Sequence, residues 1–156
     1  MCRLFLTMAT WDAFDGKNIL LKNWLDAFRV NHAITDPFTQ WEPIDGDYAI
    51  LRKILFCHDE VYSNPELTDN TWRPMDTEND VVRKILATFR YVPDLYLPPG
   101  FVWDSSFEWR PLDSTRDILA KILRVTCQLN GETNPQNNVQ QMDNEIWLLR
   151  KIITQQ

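Results

Sequence analysis

Apolar side chains recur along this chain in a fixed grouping of four. They fall at Leu20, Leu21, Trp24 and Leu25; at Ile50, Leu51, Ile54 and Leu55; at Val81, Val82, Ile85 and Leu86; at Ile118, Leu119, Ile122 and Leu123; and at Leu148, Leu149, Ile152 and Ile153. Offsets of one, four and five residues set each group on one stripe of an α-helix. The pattern predicts five short amphipathic helices of about 12 residues, each about 18 Å long at 1.5 Å per residue.

Polar and aromatic residues frame every stripe. An aspartate stands five positions ahead of each group, at Asp15, Asp45, Asp76, Asp113 and Asp143, with separations of 30, 31, 37 and 30 residues. With the aspartate numbered 0, a tryptophan occupies position −4 in four units (Trp11, Trp41, Trp72, Trp109). A proline occupies −2 in three (Pro43, Pro74, Pro111), and a lysine occupies +8 in four (Lys53, Lys84, Lys121, Lys151). The first unit departs with Ala13 at −2 and Asn23 at +8, and the last has neither the tryptophan nor the proline. Self-similarity at this spacing marks a repeat protein. The units span approximately 11–40, 41–71, 72–108, 109–138 and 139–156, within a single repeat-containing chain.

Each unit carries start signals for a helix. The aspartates Asp15, Asp45, Asp76, Asp113 and Asp143 are expected to act as N-caps. Asp47, Glu78, Asp80, Asp117 and Glu145 suit the positive end of the helix dipole. The apolar residue at −1 (Phe14, Ile44, Met75, Leu112, Met142) is expected to staple back onto its helix. The connectors are long, and three carry Asx-Pro turn signals, Asp36-Pro37, Asn64-Pro65 and Asn134-Pro135. Residues 130–141 are rich in Asn and Gln and read as a flexible link. The expected fold class is all-α, with five short N-capped helices in a repeat array and long extended connectors bearing Pro and Trp. Helices this short need partners to bury their stripes. The Pro-stiffened connectors favour an elongated arrangement over a compact bundle.

Charge and composition narrow the function. The chain has 156 residues, 22 Asp+Glu against 16 Lys+Arg and a net charge of −6, an unfavourable balance for gripping phosphate backbones. No apolar run is long enough to span a membrane, and the apolar stretch within residues 1–10 is short for a secretory signal. Three cysteines lack the spacing of a disulfide framework. Four glycines leave no room for a phosphate-binding loop. The densest group of potential ligands, Cys57-His58-Asp59-Glu60, has no partner pair at metal-binding spacing and reads as a solvated helix end. No nucleophile elbow or Ser/His/acid grouping stands out. The expectation is therefore a non-enzymatic chain without cofactor or metal, and without nucleic-acid or membrane partners.

The run Asp-x-x-x-x-Leu-Leu-Arg-Lys-Ile at Asp143–Ile152, echoed with Ile50 for the first leucine at Asp45–Ile54, resembles helical repeats in structural proteins of tailed bacteriophages, a group associated with tails and fibres. The resemblance covers all five units. It implies a virion location after synthesis in the host cytoplasm, and a connector or adaptor joining other virion structural proteins in several copies or as a homo-oligomer. It carries no catalytic residues. A phage- or bacteria-encoded interaction module that binds a host protein is the alternative. Protein contacts are expected through the repeated Leu and Ile stripes and at Trp11, Trp41, Trp72, Trp109 and Trp147, because large aromatics anchor interfaces. The aromatic segment 91–103, with Tyr96, Phe101 and Trp103, is a candidate docking arm.

Overall fold

The computed structural model describes residues 11–62 and 70–156; residues 1–10, and with them Cys2, and the Asn64-Pro65 turn signal lie outside the described residues. The five stripes all lie on helices: α1 Lys17–Asn31, α2 Asp47–Val61, α3 Glu78–Thr88, α4 Thr115–Asn130 and α5 Glu145–Thr154. Among the described residues the connectors add only single 3-10 turns, and no strand occurs. Two of these turns begin at the foreseen Asx-Pro signals, where Asp36 and Asn134 accept the backbone N–H of Phe38 and Gln136. The chain is all-α.

Each helix starts one residue later than a cap at position 0 would require. The N-caps are Gly16, Gly46, Thr77, Ser114 and Asn144, all at +1. Thr77 and Ser114 form capping boxes with Asp80 and Asp117, and Asn144 accepts from the Trp147 N–H. Asp15, Asp45, Asp76, Asp113 and Asp143 are therefore not helix caps. Each closes a turn ahead of the helix. Its N–H donates to the carbonyl at −3, while its carboxylate accepts the −3 N–H at 2.8–2.9 Å. The same carboxylate oxygen meets the +8 lysine at 2.5–2.6 Å in the four units that have one. That lysine also donates to the carbonyl at −5: Gln40, Thr71, Glu108 or Asn138.

Helices α1 to α5 pack in chain order, and α5 returns to pack against α1, so the five close into a ring. They run parallel. Lys17, in the first turn of α1, pairs with Glu78 and Glu145 at the starts of α3 and α5. At the other end Asn31 donates to the Gln156 carbonyl at 3.0 Å, and Asn130 to that of Gln155 at 2.5 Å. Adjacent units are also stitched at +3. Asn18, Tyr48, Asn79 and Arg116 each donate to the carbonyl of the next aspartate, Asp45, Asp76, Asp113 and Asp143.

Ring closure overturns the expected elongated arrangement. All twenty stripe residues are at most 1% exposed, so the stripes bury one another. At about 1.5–3 kcal/mol for each fully buried large apolar side chain, this burial outweighs any other contribution to the fold. Trp24 is the one indole at +9, where the other units place isoleucine, and it fills the interior together with them. The segment 130–141 is not a flexible link. Gly131 adopts a left-handed backbone with φ +66° and ends α4. Beyond it Glu132 accepts from the Asn134 N–H and the Gln155 side chain, and Gln140 donates to the Pro135 carbonyl.

Replacing Lys84 by Met leaves the partly buried Asp76 carboxylate with only the Arg73 N–H and is expected to cost about 2 kcal/mol. Removing the Ser114 cap by Ala costs about 1 kcal/mol. Urea unfolding of the two variants checks the order; a Lys84→Met loss below that of Ser114→Ala would refute the structural weight given to the ion pair.

Candidate protein-docking surface

The tryptophans at −4 act as joints between units. The basic residue at +7 of one unit lies over the tryptophan of the next: Lys22 over Trp41, Arg52 over Trp72 and Arg83 over Trp109, each 4.7 Å from the ring centroid. Arg150 closes the ring in the same way, 4.6 Å from Trp11, and donates to the Ala13 carbonyl at 2.9 Å. It also lies over Trp147, which meets Trp11 edge to face at 6.0 Å. Between the fourth and fifth units the pair is absent from both sides, with Ala120 at +7 and Val139 at −4. Indole N–H groups add further ties, from Trp41 to Asp26 and from Trp72 to the Tyr48 hydroxyl. Cation–π contacts of this kind contribute about 0.5–2 kcal/mol each, according to how far the cation is desolvated.

The apolar residues at −1 are not staples. Phe14, Ile44, Met75, Leu112 and Met142 are 89–99% exposed. The closed turn from −3 to 0 brings the backbone round so that the −1 side chain leaves the helix it precedes. Because that turn recurs at the start of every helix, five large apolar side chains stand around the N-terminal end of the ring. Isolated exposed hydrophobics are ordinary, but a set placed alike in every unit is a candidate interaction surface. Sequence reasoning missed this crown, although one signal was present. The −1 residue stays apolar even in the first and last units, where the tryptophan, proline or lysine is lost.

The aromatic segment within the longest unit packs largely on its own chain. Phe101 and Trp103 lie against the core, Phe101 stacks on the buried Phe107 with centroids 6.5 Å apart, and Trp103 meets Phe107 edge to face at 5.3 Å. Arg90 pairs with Glu108 and lies over Trp103 at 5.9 Å. Arg90, Trp103, Phe107 and Glu108, with Tyr91 and Trp109, line an open cavity of about 280 Å³. Tyr96, half-exposed, and the exposed Leu95 and Val102 form the outer surface of the segment.

Cys57 and His58 are buried, not solvated. Burial pushes the Cys57 thiol up to about 11, so it stays protonated and unreactive at neutral pH. His58 stacks on Phe28 with centroids 4.2 Å apart and meets Trp24, Tyr62 and Phe89 edge to face. Its Nδ1 lies 3.0 Å from the Thr88 hydroxyl, whose own proton goes to the Ile85 carbonyl at 2.6 Å. The Thr88 oxygen therefore accepts, and Nδ1 carries the imidazole hydrogen. Burial, with His32 nearby, pushes His58 down to about 3, whereas burial pushes the adjacent Asp59 up to about 6 against the pull of Lys84.

Among the described residues no group of three or more His, Cys, Asp or Glu side chains could hold a metal ion, and no helix is long and apolar enough to cross a membrane. No family model matches the sequence, and neither a curated protein nor a solved structure matches it.

Between about pH 3 and 6.5 the unfolded chain takes up a proton at His58 that the folded chain refuses, so acidification destabilises the fold by up to about 1.4 kcal/mol per pH unit. His32, also lowered by burial, acts in the same direction. Asp59 acts in the opposite one between its ordinary value and about 6, because the folded chain holds the extra proton. A His58→Asn variant is therefore expected to flatten the acid slope between pH 6 and 4. Thermal melts followed by circular dichroism across that range check this, and an unchanged slope would refute it.

Proposed function

We propose that the chain is a non-enzymatic virion connector or adaptor, built as an array of five units, that docks particle proteins, further copies of this chain among them, through the crown of −1 side chains. The observation that carries this reading is the exposure of Phe14, Ile44, Met75, Leu112 and Met142 at equivalent places around one end of the ring. The Leu and Ile stripes expected as docking faces are consumed by the interior, and the −4 tryptophans are engaged between units, so docking passes to the crown. Large apolar side chains projecting from a rigid support suit a protein partner, because little conformational freedom is lost when they seat in its pockets. The virion setting rests on the resemblance of the Asp-x-x-x-x-Leu-Leu-Arg-Lys-Ile run and its echo to phage structural repeats, and it implies several copies per particle.

Purified particles of the phage that encodes the chain are expected to contain it in fixed stoichiometry. A Met75→Ser/Leu112→Ser variant, which changes only exposed side chains, is expected to keep its melting temperature and be depleted from particles at least tenfold. Quantitative mass spectrometry of the particles reads both results. Absence of the unaltered chain would reject the virion role and favour a host-directed module; unaltered incorporation of the variant would reject the crown as the docking surface.

A further inference from the structure

We propose that the crown is self-complementary and seats a second copy of this chain, face to face, about a two-fold axis lying in the plane of the face. This deepens the docking reading of the same surface and rests on it. The argument comes from the residues at −3, which sit in the same closed turns as the crown and are all exposed: Asp12, Glu42, Arg73, Arg110 and Gln140. Around the ring this gives two adjacent acidic positions, two adjacent basic positions and one neutral position. A two-fold axis in the plane reverses the order of units in the second copy. It therefore leaves one unit facing itself and pairs the other four.

Five such axes set units directly face to face, one through each unit. An axis through the first, second or third unit sets Asp12, Glu42 or Arg73 against its own copy. An axis through the fourth sets Arg110 against its own copy and Asp12 against Glu42. Only the axis through the fifth unit pairs opposite charges throughout. Asp12 then faces Arg110 of the second copy, Glu42 faces Arg73, and the uncharged Gln140 faces itself. The same operation sets Phe14 against Leu112, Ile44 against Met75 and Met142 against Met142, so every crown residue meets an apolar partner. Such an isologous contact is the commonest interface of homodimers. The acidic residues nearer the helix starts already have partners within one chain: Glu78 and Glu145 pair with Lys17, and Asp47 accepts from Asn18.

The area is adequate. Five parallel helices about 10 Å apart present an end about 27 Å across. Two such ends bury about 1,200 Å² in total before the connectors are counted, which reaches the lower limit of stable interfaces.

Charge reversal tests the arrangement with the purified full chain. Light scattering behind size exclusion, at chain concentrations from 5 to about 200 μM, is expected to give twice the 18.5 kDa chain mass at the upper end. Arg73→Glu/Arg110→Glu makes the rim acidic, and Asp12→Arg/Glu42→Arg makes it basic. Each variant alone is expected to dissociate at least tenfold more readily, since facing like charges disfavour association. An equimolar mixture of the two is expected to restore the dimer mass. Both variants alter exposed positions, and circular dichroism verifies that they fold. A monomeric unaltered chain at 200 μM overturns the proposal, as do reversed chains that dimerise as well as the unaltered one, or a mixture that stays monomeric. A monomeric chain that still enters particles through its crown overturns the dimer and leaves the docking reading standing. A dimer with the expected charge dependence, formed by a chain absent from particles, supports the dimer and rejects the virion role.

Discussion

A lysine reaching back from the second turn of a helix to the aspartate turn before it sets the position of most other parts of this molecule. Its ammonium group binds the carboxylate at 0 and the carbonyl at −5, so two points of the incoming connector are pinned to the helix that follows. The carboxylate is held in turn by the −3 N–H. With the connector so fixed, the −4 indole lies along the previous helix and the −1 side chain projects into solvent. Lys53, Lys84, Lys121 and Lys151 thus act on the surface as much as on the core. In the first unit Asn23 stands in the lysine's place, and Asp15 keeps the turn through its hydrogen bonds with Asp12.

Two contacts between units recur in one direction. Position +3 donates to the next aspartate carbonyl, and the +7 base covers the next indole. Such a relation can be extended indefinitely, as in an open solenoid, or can return on itself. Here it returns: Arg150 of the last unit covers Trp11 of the first and donates to Ala13. The closing joint uses the chemistry of the internal joints and adds Trp147 to it. The junction that lacks the Arg–Trp pair, between the fourth and fifth units, is instead held by Arg116, which donates to the Asp143 and Gln140 carbonyls.

The existence and number of the helices were legible because twenty apolar positions carry the helical period without exception. Helix starts were misplaced by one residue. Aspartate is a good cap in isolation, and only the three-dimensional turn reveals that its carboxylate is already engaged, leaving Gly16, Gly46, Thr77, Ser114 and Asn144 at the cap position. Ring closure was not legible, because it depends on the angle between neighbouring units, which periodicity does not encode. His58 was misread through its neighbours. Asp59 and Glu60 suggested a wet helix end, yet His58 lies one helical step away, on the face turned towards Phe28 and Trp24. The Arg–Trp joint could have been found: Ala120 and Val139 lose its two halves together, as a contact between successive units requires.

Closure also fixes how this molecule can change in evolution. An open array lengthens or shortens by whole units with little effect on those that remain. In a ring, a sixth helix would lower the turn at each junction from about 72° to 60° and open a channel along the axis, while a fourfold ring would crowd out Trp24. Duplication or loss of a single unit is therefore not a small step for this fold. Length can change more freely in the connectors, and the 37-residue spacing that carries the aromatic cavity is the longest between units of this chain.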